Sequence, residues 1–130
     1  MPRLLLIEAD EPVAAAVARG VRRAGWSVLR AATAAEALRL KAQFAPHVVL
    51  MALDLPDMGG ETLMACLAQQ GDCGIIALSG RGEVGGLKAL AGGAHDYLMK
   101  PMVMREVMAR VEAVQRRLTA ALVPARSSAA

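Results

Sequence analysis

The sequence predicts an α/β fold: a doubly wound, five-stranded parallel sheet with five helices. Three observations predict it. Short apolar runs alternate with segments whose apolar residues recur at helical spacing, and polar or glycine-rich loops come after the runs. The runs are nearly continuous in Val, Ile, Leu, Met and Ala, as in strands covered on both faces. Parallel strands need crossover connections, and right-handed crossovers of helix length cover the sheet on both sides. The 130 residues suit one such domain and leave no room for two.

Leu4 to Ile7 is a continuous apolar run ending in Glu8-Ala9-Asp10, so the first strand opens into an acidic loop. From Pro12 onward, Val13, Val17 and Val21 mark a helix. Pro12 suits its first turn, Asp10 or Glu11 is available as a cap, and Gly25 stops it. Trp26 to Ala31 is a short second strand. Thr33-Ala34-Ala35-Glu36 reads as a capping box, whose hydroxyl and carboxylate satisfy free amides at the start of a helix running to about Phe44, before Pro46. Val48 to Ala52 is the third and most apolar strand, and Leu53 to Gly60 is a loop rich in turn formers. Glu61 to Gln69 is helical. Ile75 to Leu78 forms the fourth strand, followed by Ser79-Gly80-Arg81-Gly82. The helix from about Val84 to Ala91 is weak, because Gly85 and Gly86 lie in its first turns and each glycine costs about 1 kcal/mol relative to alanine. Asp96 to Met99 is a short fifth strand ending at Lys100-Pro101. Val107, Val111, Val114 and Leu118 form the stripe of the last helix. The domain is expected over residues 1–122, with 123–130 a disordered tail or the start of a linker.

Composition excludes several functions. At 55% hydrophobic and 21% charged residues, the chain is not intrinsically disordered. Trp26, Phe44 and Tyr97 are too few aromatics for stacking on single-stranded nucleic acid. The formal charge of +3 is not gathered into a basic run and argues little for a polyanionic partner. Cys66 and Cys73 lack a second pair and a nearby histidine for zinc, and read as simple thiols. No apolar run reaches the length of a signal peptide or a membrane span, so a soluble, cytoplasmic protein is expected.

In a doubly wound sheet the functional site lies outside the carboxyl ends of the strands. That singles out Glu8-Ala9-Asp10, Ala52 to Asp54, Ser79-Gly80 and Lys100-Pro101. At those places the chain, from about Arg3 to Arg117, resembles the receiver domains of bacterial two-component response regulators. Such receivers carry an acidic pair after strand one, a phosphoacceptor Asp ending strand three, a Ser or Thr after strand four and a Lys-Pro after strand five. Ser79, Lys100 and Pro101 match, and Gly92-Gly93-Ala94-His95-Asp96-Tyr97-Leu98-Met99-Lys100-Pro101 looks strongly like the family's run there. Arg105 to Arg117 resembles the last helix of the winged-helix transcription-factor branch. The resemblance implies the flavodoxin-like receiver fold, a cis peptide before Pro101, and Tyr97 as the aromatic that reports a shift between two surface arrangements. It also implies Asp96 and Arg110 as intersubunit ion-pair positions on a homodimer face of helix 4, strand 5 and helix 5.

The departures from the family pattern bear on chemistry. Aligned on it, Glu8 takes the first acid and Ala9 the second. The family's acceptor lies four residues before the loop proline and eight before the loop glycine; from Pro56 and Gly60 both counts fall on Ala52. An alanine methyl has no lone pair with which to attack phosphorus. The hard cation that neutralises a transferring phosphoryl needs oxygen ligands in near-octahedral geometry, and here only Glu8 and Asp10 remain as acids. A degenerate, phosphorylation-independent receiver is therefore expected: not an enzyme, with no resident cofactor and Mg²⁺ bound weakly if at all. Its partner would be a protein, whether a sensor kinase, an output domain or another regulator. Nothing after residue 117 could form a winged helix, so direct nucleic-acid binding by this chain is not expected. Lys100, deprived of two acids, should pair with Glu8 or turn to solvent. Acids restored at Ala9 and Ala52 would take the formal charge from +3 to +1, so the excess is itself a trace of the altered pocket.

Two alternatives compete. Asp54 lies two residues beyond Ala52, on the same side if the strand continued, and would serve as a displaced phosphoacceptor, although it stands too close to Pro56 and Gly60 for the family spacing. Gly80-Arg81-Gly82-Glu83-Val84-Gly85 is a literal G-x-G-x-x-G between a strand and a helix, which a small nucleotide-binding protein would use to hold phosphates. Against that, it comes after the fourth strand, and no acid clearly ends the next strand to hold a ribose. His47 and His95 are isolated and read as surface or loop residues. Met51, Met64, Met99, Met102, Met104 and Met108 read as fillers of core gaps, those near the last strand and helix also as candidates for a partner surface.

Overall fold

In a computed structural model, residues 1–80 and 82–122 are described; the predicted tail, 123–130, lies outside them. Along those residues run β1 (Arg3–Ile7), α1 (Glu11–Arg23), β2 (Ser27–Ala31), α2 (Ala34–Phe44), β3 (Val48–Ala52), α3 (Gly60–Gln70), β4 (Gly74–Ser79), α4 (Gly82–Ala91), β5 (Asp96–Met99) and α5 (Met104–Leu122). The strands form one parallel sheet in the order β2-β1-β3-β4-β5, the doubly wound arrangement the sequence predicts.

Alternate residues of each central strand point to opposite faces, so a continuous apolar run builds two cores at once. Leu4, Leu6, Val48, Leu50, Ile76 and Leu78 meet Val17, Val21, Val107, Val111 and Val114 of α1 and α5. Leu5, Ile7, Val49, Met51, Ile75 and Ala77 meet Ala34, Ala37, Leu63, Met64, Leu67 and Ala89 of α2, α3 and α4. Each fully buried Leu, Ile or Val contributes about 1.5–3 kcal/mol of burial free energy, which makes these two layers the main stabilising term.

The caps agree with the sequence, with one addition. Asp10 accepts from Val13 N at 3.2 Å and caps α1. Thr33 accepts from Glu36 N at 3.1 Å, while Glu36 reaches back to Ala32 N at 2.8 Å. The addition is Asp57, whose carboxylate accepts from Ala34 N at 2.9 Å and Ala35 N at 3.0 Å. The loop after β3 is thereby tied to the amino end of α2. Its other end is fixed at Gly60, where a Cβ would stand 2.4 Å from Leu53 Cα.

Several element bounds differ by a residue or two from the sequence-based expectation. Trp26 precedes β2 and is buried against the α1/α5 core. Helix α4 starts at Gly82, two residues before the predicted Val84, and buries Ala89 against the sheet. His47 and His95 do more than occupy loops: His47 Nδ1 accepts from Arg3 N, and His95 Nδ1 from Ile75 N, each at 3.0 Å. Both rings supply an acceptor for a strand amide at the amino end of the sheet. Nearby, the buried Lys41 donates to Asp72 at 2.9 and 3.0 Å and to Gln70, bracing α2 against the α3–β4 turn. Both cysteines are free; burial pushes the Cys73 thiol up to about 11, whereas Cys66 is exposed.

Candidate functional site

The register aligns the carboxyl ends of the strands. Ile7 lies beside Met51, Ala52 beside Leu78, and Ser79 beside Met99. The loops leaving β1, β3, β4 and β5 are thereby brought to one edge.

Glu8, directly after β1, is 2% exposed. Its Oε1 accepts from Lys100 Nζ at 2.5 Å and its Oε2 from Asp10 N at 3.2 Å. Of the two outcomes expected for Lys100, the pairing is the one observed. Lys100 N also donates to Ser79 O at 3.0 Å, which ties the end of β5 to that of β4. The Lys100–Pro101 peptide is cis, as the resemblance implied.

Arg30, on β2 beside Leu6, completes this edge. Its guanidinium donates to Glu8 O at 3.0 and 2.9 Å and to Ala9 O at 3.3 Å, holding the β1–α1 turn from below. Sequence reasoning missed it. The available signal was an arginine between Leu29 and Ala31 of a short strand, but its target depends on the β1–β2 register.

Ala52 ends β3 and is buried, Ala9 is exposed, and Ser79 is buried at the end of β4. Asp54 lies outside β3 and is exposed, in the loop closed by an antiparallel bridge between Asp54 and Gly59. Among the described residues, no three His, Cys, Asp or Glu side chains are grouped to hold a metal. Of the glycine-rich run, Gly82 is the first residue of α4, and its carbonyl is taken by the Tyr97 hydroxyl at 3.0 Å.

A second group lies on the β5 side. Half-buried Tyr97 also donates to Ser79 O at 3.3 Å. Asp96 accepts from Arg110 Nη1 at 3.1 and 3.2 Å within this one chain, and Arg110 Nη2 lies 3.6 Å from Glu106. A groove of about 400 Å³ runs between α4 and β5, lined by Gly86, Leu87, Leu90, Asp96, Tyr97 and Met99. Leu87, Leu90 and Met99 of its lining are exposed, as are Val84 on α4 and Val103 in the loop after β5.

A parallel 2-1-3-4-5 sheet with Lys-Pro, Ser and Glu at its carboxyl edge can be compared with known proteins. Residues 4–112 match the response regulator receiver domain. The chain belongs to that family. Among relatives of this receiver is the transcriptional regulatory protein PrrA of Mycobacterium tuberculosis, 37% identical over 118 residues that span 89% of this chain and 51% of that protein. KdpE of the same organism, another transcriptional regulatory protein, is 39% identical over 120 residues, 91% of this chain and 53% of its own. The receiver spans about half the length of these curated relatives. Solved structures agree: the Francisella response regulator 1452 receiver domain superposes with a TM-score of 0.85 at 25% identity, covering 91% of this chain and 99% of that one. A two-component response regulator from Clostridium difficile gives 0.86 at 25% identity, covering 91% and 98%. Among the described residues of the receiver, no helix is long and apolar enough to cross a membrane.

Proposed function

We propose that this receiver is an atypical, phosphorylation-independent signalling module that acts by protein contact in a two-component pathway. The observation that carries the reading is Ala52, buried at the carboxyl end of β3, where the family pattern puts the phosphoacceptor. A methyl group cannot form the acyl phosphate. The surrounding residues do not fit Mg²⁺ either. Glu8 has both oxygens engaged, one by an ammonium and one by a backbone amide, and Ala9 and Ala52 offer no oxygen ligand from their side chains. Lys100 supplies inside the chain the positive charge that a bound cation would bring.

The partners follow from the family and from the exposed face. Relatives named as transcriptional regulators, about twice as long, support an output domain as the binding partner; a sensor kinase is the other partner this reading admits, and the cytoplasm its compartment. The apolar residues Val84, Leu87, Leu90, Met99 and Val103, with the Asp96–Arg110–Glu106 charges beside them, support a homodimer through α4, β5 and α5. The mixture of signs is self-complementary. In a dimer, Arg110 would exchange its intrachain Asp96 for that of the second copy.

One observation favours a second reading: Asp54 is exposed just beyond β3, within reach of a small phosphodonor. Incubation with acetyl phosphate and Mg²⁺, followed by intact mass, tests both readings. An unmodified chain is expected, and a phosphoryl adduct refutes the first reading.

A further inference from the structure

Gly86 lies in the interior of α4, where glycine weakens the helix relative to alanine. Its φ lies outside the left-handed region that would call for glycine, unlike Gly82 and Gly93. The backbone therefore does not require it. The neighbouring side chain does: a Cβ at Gly86 would stand 2.6 Å from Tyr97 Cδ1, 2.9 Å from Cε1 and 3.2 Å from Cγ. Carbon atoms pack at about 3.5–4.0 Å. Because Cγ is the base of the ring, the clash cannot be relieved by a small movement of its tip. That tip is anchored as well, its hydroxyl donating to Gly82 O at 3.0 Å and Ser79 O at 3.3 Å.

We propose that Gly86 is a positioning residue that holds Tyr97 inward against α4, and thereby fixes the α4–β5 interaction surface in one arrangement without a phosphoryl group. The inference rests on the reading of the chain as a phosphorylation-independent receiver, and names what sets its surface. A two-state surface shifts only when something interacts differently with the two states. Here the slot left by Gly86 supplies that difference from within the sequence. With the ring inward, the groove lined by Leu87, Leu90, Asp96 and Met99 stays open to a partner. Expelling the ring from α4 would change the face that a partner meets.

Tyr97 is the one tyrosine of the chain, so every tyrosine signal reports on it. The experiment is NMR of the full chain with ¹³C-labelled tyrosine, alone and with acetyl phosphate and Mg²⁺, on the wild type, Gly86→Ala and Lys88→Ala. The wild type should give one set of ring signals with contacts to Gly86 Hα, unmoved by the phosphodonor. Gly86→Ala, which favours helix intrinsically, should move the ring signals to those of a solvent-exposed tyrosine and abolish the Tyr97–residue 86 contacts. Lys88→Ala, at an exposed position of the same helix, should leave them in place. Unmoved ring signals in a folded Gly86→Ala overturn the proposal. Two ring populations of comparable intensity in the wild type also overturn it, whether or not the variant folds. Intact mass on the same samples tests the underlying reading separately: a phosphoryl adduct defeats that reading, whereas unchanged mass with unmoved Gly86→Ala signals defeats this inference alone.

Discussion

Lys100 Nζ and Glu8 Oε1, 92 positions apart in the chain, meet at 2.5 Å across the carboxyl edge of the sheet. Glu8 is nearly fully buried and Lys100 about one quarter exposed, so each is the other's main compensation for leaving water. Removing one partner strands the other. Lys100→Met is expected to destabilise the fold by about 2 kcal/mol, below the ~3–5 kcal/mol of a fully buried pair because the ammonium keeps some solvent. Glu8→Gln in the same background should recover most of the loss. Urea denaturation of the two single variants and the double variant measures the coupling; additive losses would show that the pair is not a unit.

Carboxylates put back at the altered positions should return the chemistry. The Ala9→Asp/Ala52→Asp variant gives the edge three neighbouring acids with Glu8 and a nucleophile at the end of β3. It should bind Mg²⁺ by calorimetry and take up one phosphoryl group from acetyl phosphate, while the wild type does neither. Lys100 is then expected to divide its charge between Glu8 and the new carboxylate at position 52. A double variant that folds but remains unmodified would mean that the pocket differs from an active one by more than these two side chains.

Asp57 predicts a dependence at acid pH. Its carboxyl is held below the usual range, mainly by the amides of Ala34 and then Ala35 at the start of α2. A carboxyl lowered in the folded state contributes stability that is present above its unfolded pKa, near 4, and is lost as pH falls through the lower folded value. Asp57→Ala should therefore lower Tm at pH 7, and the gap to the wild type should close below about pH 4. Thermal melts across pH check this, and a gap independent of pH would assign the effect to packing.

The two histidines act nearer neutrality. Both are lowered, His47 by burial and then by Arg3 and the N-terminus, His95 by burial and then by Arg117. Each Nδ1 must stay unprotonated to accept its strand amide. Below the unfolded pKa of about 6.5 the unfolded chain takes up protons that the folded chain resists, so stability present above that pH is lost as pH falls toward the lower folded values. His47→Asn and His95→Asn, whose side-chain oxygens can accept the same amides without titrating, should flatten the stability profile between about pH 7 and 5. An unchanged slope in the double variant would place the acid sensitivity elsewhere.

Much of the fold and its carboxyl edge was legible in the sequence because it depends on period and order. Leu4-Leu5-Leu6-Ile7 and Val48-Val49-Leu50-Met51 read as doubly buried strands because every residue is apolar, and both faces of the sheet are indeed covered. Ala52 was found by counting back from Pro56 and Gly60, and the Glu8–Lys100 pair by asking where an orphaned ammonium could find a carboxylate. The partners of Arg30, Lys41 and Asp57 were not legible, and for His47 and His95, which do lie exposed in loops as read, the strand amides they accept from were not. Four of the five, Lys41 apart, engage backbone groups, which every residue carries and no motif marks. Their partners lie 20 to 44 positions away or, for Lys41, in a turn about 30 positions on. Gly86 shows the same limit from another side: the sequence marks it as a weak point of α4, while the reason for it is the Tyr97 ring packed there by tertiary structure.

The central claim is that this receiver has lost phosphoryl chemistry at position 52 and has not moved it to Asp54. Intact mass spectrometry after incubation with acetyl phosphate and Mg²⁺, on the wild type and Asp54→Ala side by side, tests it most directly. Both proteins are expected to keep their unmodified masses throughout. A phosphoryl adduct that accumulates on the wild type and is missing from Asp54→Ala would contradict the account.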